Sequence, residues 1–265
     1  HYKHCIEYKN IIEKLKINLK KIDNVEDFPM IPVQLFKHFD LLSVKREKVV
    51  KKLISSGTSG QNPSKIYLDK NNALAQTKAL DTIFQKMVSD KRLPMLIVDR
   101  NPNLDDRNIL NAKSAAIYGF SIFGKNHSYL LNKENKIDFD NLSKFLNLYG
   151  KEKFLIFGFT SMIFEKLINN INIKKRSYDF NKGILVHGGG WKRMENLKIS
   201  NKNFKKKLKT KLNLDKIFNY YGLVEQTGSI FFESSKCGYF HTSIFSDIII
   251  RDSKFRVLGK KSKGL

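Results

Sequence analysis

Apolar and polar positions along the chain fall into two rhythms. Ile6, Ile11, Leu15 and Leu19 recur at roughly helical spacing and predict an amphipathic helix running to about Asp23. A proline-marked loop follows at Phe28-Pro29-Met30-Ile31-Pro32, then a short apolar piece to Phe39. Lys51 to Ile54 leads into Ser55-Ser56-Gly57-Thr58-Ser59-Gly60, too rich in small residues for helix or strand. Asn71 to about Val88 reads as helix, and Met95-Leu96-Ile97-Val98 as a compact strand. The stretch Ala112 to Phe123 fits either type. Asn141 to Tyr149 and Ser161 to Asn170 carry helical spacing, with Phe154-Leu155-Ile156-Phe157 between them as a buried strand. Gly183-Ile184-Leu185-Val186-His187 is a strand that ends in three glycines, and Lys216 to Tyr220 is another strand. The tail from Gly228 to Val257 reads as mostly strand and hairpin. Strands alternating with helices predict an α/β fold with a largely parallel sheet. No internal repeat or low-complexity segment interrupts it.

Composition narrows the class. The chain has 265 residues and is 41% hydrophobic, enough for a sizeable core. It contains no run of eighteen apolar residues and no secretory signal, which predicts no membrane span and a cytoplasmic location. Two cysteines, Cys5 and Cys237, make no disulfide framework and fit a reducing compartment. The net charge of +24 raises nucleic acid, anionic lipid or anionic substrate as partners. Yet Lys, Asn and Ile are abundant throughout, as an AT-rich genome would write onto any surface. The densest run, Lys202 to Lys211, carries Phe204, Leu208 and Leu212 at four-residue spacing, which is an amphipathic helix with a lysine-covered outer face. No nucleic-acid signature accompanies it, so a basic nucleic-acid binder ranks last.

The chemistry concentrates at Ile54-Ser55-Ser56-Gly57-Thr58-Ser59-Gly60-Gln61-Asn62-Pro63-Ser64-Lys65. Two glycines let backbone N–H groups converge on an anion, the hydroxyls add donors, and Lys65 adds a cation. This describes a phosphate cradle, without the spacing of a Walker loop. A flexible Ser/Gly linker is the alternative, but Ile66-Tyr67-Leu68 follows at once as a strand.

That loop resembles the Ser/Thr/Gly-rich signature of the adenylate-forming superfamily. A second superfamily element lies at Asn219-Tyr220-Tyr221-Gly222-Leu223-Val224-Glu225, with Val224 where most members have Thr. A third, Val186-His187-Gly188-Gly189-Gly190-Trp191-Lys192, occupies the place of the family's Gly-rich adenine-binding turn. The Gly-Gly-Gly-Trp-Lys form, the Phe28–Pro32 loop and Glu225-Gln226-Thr227-Gly228 look like the acyl-protein synthetase branch, with phenylacetate–CoA ligases as the nearest competitor. The resemblance covers the chain from about residue 28 and implies a large N-terminal adenylation domain of mixed and parallel sheets flanked by helices. Residues 1–265 would then be part of that AMP-binding domain, with 1–27 a helical extension within it.

The resemblance also implies roles. ATP and Mg²⁺ are the expected cofactors, a carboxylic acid (a fatty acid first) the substrate, and a protein or carrier thiol the acyl acceptor. Ser55, Ser56, Gly57, Thr58, Ser59, Gly60 and Lys65 would hold the β- and γ-phosphates. Glu225 would bind Mg²⁺, Tyr221 would pack on adenine, and Gly188, Gly189, Gly190 and Gly222 would admit the base. Val224 removes a hydroxyl that could reach the α-phosphate. His241 resembles a histidine of the phenylacetate ligases and is carried as catalytic; a structural histidine beside aromatics is the plainer reading. Cys237 and His241 have C-x-x-x-H spacing, with no second pair to complete a zinc site. Trp191 and Lys192 would shape a pocket or simply wedge a domain edge. The family's ribose-binding Asp, lid domain with its catalytic Lys, and acyl-accepting Cys are expected beyond Leu265, so neither Cys5 nor Cys237 is expected to accept the acyl group. An aryl- or acyl-CoA ligase and a non-catalytic nucleotide-binding fragment are the rival readings.

Overall fold

The protein is described by a computed structural model over residues 1–55, 62–102, 112–171, 178–191, 197 and 199–259. Its chain divides into two compact units. One comprises His1–Leu80, Leu223–Ser229 and Thr242–Leu265, the other Asp81–Gly222 and Ile230–His241.

The first unit opens with α1 (Ile6–Lys14), which is shorter than the sequence predicts. Its backbone turns left-handed at Lys16, φ +55°, and resumes as a single 3₁₀ turn at Leu19–Lys21, where the Asn18 side chain accepts from Lys20 N at 3.1 Å. Only Ile12 of α1 is buried, so no packed face sustains the longer helix that its spacing suggests. A short α2 (Leu35–His38) follows, then β1 (Val49–Ile54) paired antiparallel with β2 (Lys65–Asp69). In sequence α3 (Lys70–Met87) comes next, as the Asn71–Val88 pattern predicts.

The second unit is a seven-stranded sheet. Its members are β3 (Leu93–Arg100), β4 (Gly124–Leu131), β5 (Phe154–Phe159), β6 (Gly183–Gly188), β7 (Lys216–Tyr221), β8 (Phe231–Glu233) and β9 (Phe240–His241). They run in the order β4-β3-β5-β6-β7-β8-β9, parallel through β7 and antiparallel beyond it. Every position of β5 and β6 is buried, which suits central parallel strands covered on both faces. The chain winds outward from β3 to β4 and then crosses back to β5. The carboxyl ends of these strands therefore border a point where the winding reverses, the usual place for a ligand in such sheets.

The helices pack by their apolar faces. α4 (Ala112–Ser121) resolves the ambiguous Ala112–Phe123 stretch as helix. In α5 (Phe139–Tyr149) the Asp138 side chain caps the N-terminus by accepting from Asn141 N at 2.9 Å, and Leu142 and Phe145 are buried. The segment expected as helix from Ser161 begins as α6 (Thr160–Met162) and widens into a π-helix at Ile163–Asn169. α7 (Asn201–Leu212) is capped by the Ser200 hydroxyl and ends at Asn213 in the left-handed conformation. Phe204, Leu208 and Leu212 join the core with Leu96, Leu185 and Phe154, while lysines cover the outer face. Each such fully buried side chain contributes about 1.5–3 kcal/mol.

Two departures concern strands. β4 went unmarked because Lys125, Asn126 and His127 are exposed on this edge strand and Asn126 sits at φ +49°. Conversely, Gly228–Val257 holds only β8, β9 and an isolated Arg251↔Val257 bridge, not a run of hairpins. Tight turns at Ser234–Tyr239 and Asp252–Arg256 divert its backbone pairing.

Candidate functional site

The carboxyl ends of β6 and β7 lie side by side, with Gly188 paired to Tyr220. A Cβ on Gly188 would fall 2.6 Å from the Tyr220 ring, so the two strands close only over glycine. Gly189 and Gly190 then turn the chain at φ +77° and +65°, in the region that L side chains rarely adopt. A Cβ at Gly189 would strike Phe159 at 2.8 Å, whereas at Gly190 nothing among the described residues lies within 4 Å of that position. One face of the turn is thus seated on Phe159.

The aromatic pair after it divides its work. Tyr220 is partly buried against Phe120 and Phe157, with ring centroids 4.6 and 6.5 Å away, and loss of solvent around its phenol pushes the group well above the ordinary range. Tyr221 is about half exposed at the strand end, with Phe231 and Phe240 near 6 Å. Of the two rings it is the more exposed. Gly222 follows it, exposed. Trp191, the sole tryptophan, packs edge-on against Phe164 and Phe204 directly after the glycine turn. Lys192 lies outside the described residues.

His241 sits on β9, where its Nε2 is 3.0 Å from Cys237 Sγ across the Ser234–Tyr239 turn. The hydrogen bond to His241 leads the causes that lower the thiol's pKa from 9.0 to about 7; a backbone bond at Tyr239 and the Ser234 side chain add to it. Among the described residues no three His, Cys, Asp or Glu side chains gather as a metal cluster.

In the first unit, β1 and β2 clamp the Ser/Thr/Gly-rich loop at its base. Ser55 N donates to Ser64 O at 3.1 Å, and Ser64 N donates to Ser55 Oγ at 2.8 Å. The Ser64 hydroxyl is fully buried with no hydrogen-bond partner among the described residues. Ser56, Gly57, Thr58, Ser59 and Gly60 lie outside the described residues. Lys65 begins β2 with its Nζ 3.7 Å from Asp40, a carboxylate held below its usual range by the Arg46 hydrogen bond first. Glu225 occupies a partly exposed turn, where Gln226 N donates to Leu223 O; it is not at the start of a helix.

The whole chain, residues 1–265, matches the family model described as "Acyl-protein synthetase, LuxE". The chain belongs to the acyl-protein synthetase family.

A long-chain-fatty-acid–luciferin-component ligase of Photorhabdus luminescens is 35% identical over 60 residues, covering 23% of this chain and 51% of that protein. The solved structure of 2-hydroxyisobutyryl-CoA ligase with 2-HIB-AMP and CoA in the thioesterification state is similar at TM-score 0.57 and 12% identity, over 86% of this chain and 48% of that one. The amide bond synthetase McbA of Marinactinospora thermotolerans gives TM-score 0.54 at 12% identity, over 97% and 48%. At these identities the likeness is one of fold, and the fold is that of adenylate-forming ligases. This synthetase chain spans about half the length of each of these relatives.

Several polar residues of this acyl-protein synthetase chain carry no motif. Thr160, Glu233 and Asp99 are all buried. Asp99, next to last in β3, has Oδ2 2.7 Å from Lys113 Nζ, an ion pair. Glu233 Oε1 accepts from Lys205 Nζ at 2.5 Å and Asn201 at 2.8 Å. The one available signal was a polar residue inside an otherwise apolar strand, as at Asp99 and Glu233.

Proposed function

We propose that the protein is the nucleotide-binding part of an enzyme that activates a carboxylic acid with ATP, for transfer to a protein or carrier thiol. The observation that carries this reading is the Gly188–Gly190 turn at the end of β6, next to the end of β7 that bears the exposed Tyr221, in the fold of adenylate-forming ligases. Family membership supports acyl activation, and the Photorhabdus relative's name favours a fatty acid as substrate.

In this reading a carboxylate oxygen attacks the α-phosphorus of ATP. The bond to the β-phosphate oxygen breaks, leaving acyl-adenylate and pyrophosphate. A thiol then attacks the acyl carbon, loses its proton and releases AMP. The residues present fit such a nucleotide. Gly189 and Gly190 give the base a close backbone approach, and Tyr221 supplies a stacking face. Ser55 to Gly60 and Lys65 would hold the β- and γ-phosphates, and the unpartnered Ser64 hydroxyl sits at the base of that loop. Glu225 would give Mg²⁺ one hard oxygen, since this ion takes one or two carboxylates and otherwise uses phosphate and water. Bound there, the metal would neutralise developing phosphate charge. His241, hydrogen-bonded to Cys237, would act in the acyl-transfer half of the reaction.

The test, on the full-length protein, is carboxylate-dependent exchange of labelled pyrophosphate into ATP, with fatty, aryl and amino acids as alternative substrates. Exchange stimulated by fatty acids is expected. ATP binding by calorimetry without exchange for any carboxylate would leave only a nucleotide-binding protein and overturn the enzymatic reading.

A further inference from the structure

His187 is the last side chain before the glycine turn, and it is 1% exposed. Its Nδ1 lies 2.9 Å from Thr160 Oγ1, and that hydroxyl also donates to Gly188 O at 3.1 Å. A hydroxyl has one proton to give. With that proton on the Gly188 carbonyl, Nδ1 must carry its own hydrogen and donate to Oγ1. Nε2 is then a bare acceptor, and among the described residues it has no partner although it is buried. Burial first, and then the nearby Lys205 charge, keep the ring neutral, which this arrangement requires. Phe204 packs against the imidazole at a centroid distance of 4.9 Å and fixes its plane.

The direction of the relay matters because of where it ends. Gly188 O belongs to the peptide that joins Gly188 to Gly189, and Gly189 begins the positive-φ turn. Glycine peptides rotate easily, so a turn of three glycines has no side chain of its own to hold it. Phe159 limits one side of Gly189, but among the described residues nothing near Gly190 does so. The carbonyl held from below by Thr160 is thus the anchor on the strand side. Thr160 starts α6, 28 residues earlier, so the anchor comes from a different strand-to-helix junction.

We propose that Thr160 and His187 form a buried hydrogen-bond relay that fixes the Gly188 peptide, making both positioning residues for the adenine-side surface of the nucleotide pocket. This rests on the pocket reading above. Thr160 orders the peptide directly; His187 acts through it, by occupying the hydroxyl lone pair so that its proton faces the carbonyl.

The test compares Thr160→Val, Thr160→Ser, His187→Asn and His187→Leu in the full chain. Three quantities are measured: affinity for AMP, affinity for inorganic tripolyphosphate, and acrylamide quenching of Trp191, which reports the order of the turn without any ligand. Thr160→Val is expected to weaken AMP about tenfold, the size of one lost buried hydrogen bond. Tripolyphosphate affinity should stay within about twofold, since it reads the other loop, and Trp191 should become more accessible. Thr160→Ser keeps the hydroxyl, and His187→Asn keeps a donor where Nδ1 stands; both should stay near the parent, whereas His187→Leu should follow Thr160→Val. Should Thr160→Val fail to fold, the His187→Asn and His187→Leu pair carries the same comparison. AMP affinity and Trp191 quenching unchanged in Thr160→Val, or lost equally in Thr160→Ser, would overturn the relay. A parent that binds no AMP, yet whose Trp191 quenching follows the donor pattern, would refute the pocket reading and leave the relay standing.

Discussion

Cys237, in the turn between β8 and β9, and His187, on β6, show how opposite surroundings tune side chains. Cys237 is exposed, and its hydrogen bond to His241 brings the thiol to about pH 7. Alkylation of Cys237 by iodoacetamide, followed by peptide mass, should therefore rise through about pH 7; an ordinary cysteine does so near 8.5. His241→Ala should move that rise upward by about a unit, while Cys5, which is buried, should react slowly throughout. His187 is displaced the other way, from 6.5 to about 3, chiefly by burial. The unfolded chain takes up a proton as pH falls through 6.5 while the folded chain stays neutral, so this contribution to stability is whole above 6.5. It is lost below that at about 1.4 kcal/mol per pH unit until about pH 3. Urea melts of the parent between pH 4 and 7 should show that slope, and His187→Leu should flatten it; an equal slope in both would refute it. Tyr221 tests the proposed stacking. Tyr221→Ala should weaken ATP by about 1–3 kcal/mol and Tyr221→Phe by little, measured by calorimetry. Both the glycine turn and Tyr221 were legible in the sequence, because a glycine run beside aromatics is a local signal. Thr160 was not, since an ordinary threonine shows its partner only when strands align.

Among the elements, α7 shows a pattern that survives into the structure. Phe204, Leu208 and Leu212 are buried, as their four-residue spacing predicts, and six lysines occupy other positions of the helix. Leu208→Ala should cost about 2–5 kcal/mol in a denaturant melt, because the surrounding core relaxes only in part. At the helix end Asn213 is left-handed at φ +55°, so Asn213→Ala should cost about 1 kcal/mol and Asn213→Gly almost nothing. The lysines are not all idle: Lys205 pairs with Glu233, Lys209 with Asp215 at 2.8 Å, and Lys211 donates to Ile168 O at 2.8 Å. β4 and the widened helix at Ile163–Asn169 were beyond the reach of periodicity. A polar edge strand looks like loop, and the buried set Ile163, Phe164, Leu167 and Ile168 fits an α-helix as well as a π-helix.

At the scale of the whole molecule, the charge of +24 surrounds a chain proposed to bind a polyanion. Long-range attraction of this kind is screened within about 10 Å at 0.1 M salt. ATP association, measured by stopped flow, should therefore slow as salt rises from 0.05 to 0.5 M (order-of-magnitude bounds), while dissociation changes less; a salt-independent association rate would count against steering. The sequence by itself determined the α/β class, the central strands, the amphipathic helices and the order of three motifs, because each is written in a short stretch whose residues act on their neighbours. It also pointed to the acyl-protein synthetase family. Only the tertiary structure decided which strands flank which, that Gly188 closes over Tyr220, and that Thr160 reaches the Gly188 carbonyl. Those contacts join residues about 30 apart, and they exist only once the buried faces of β5, β6 and β7 have packed in register.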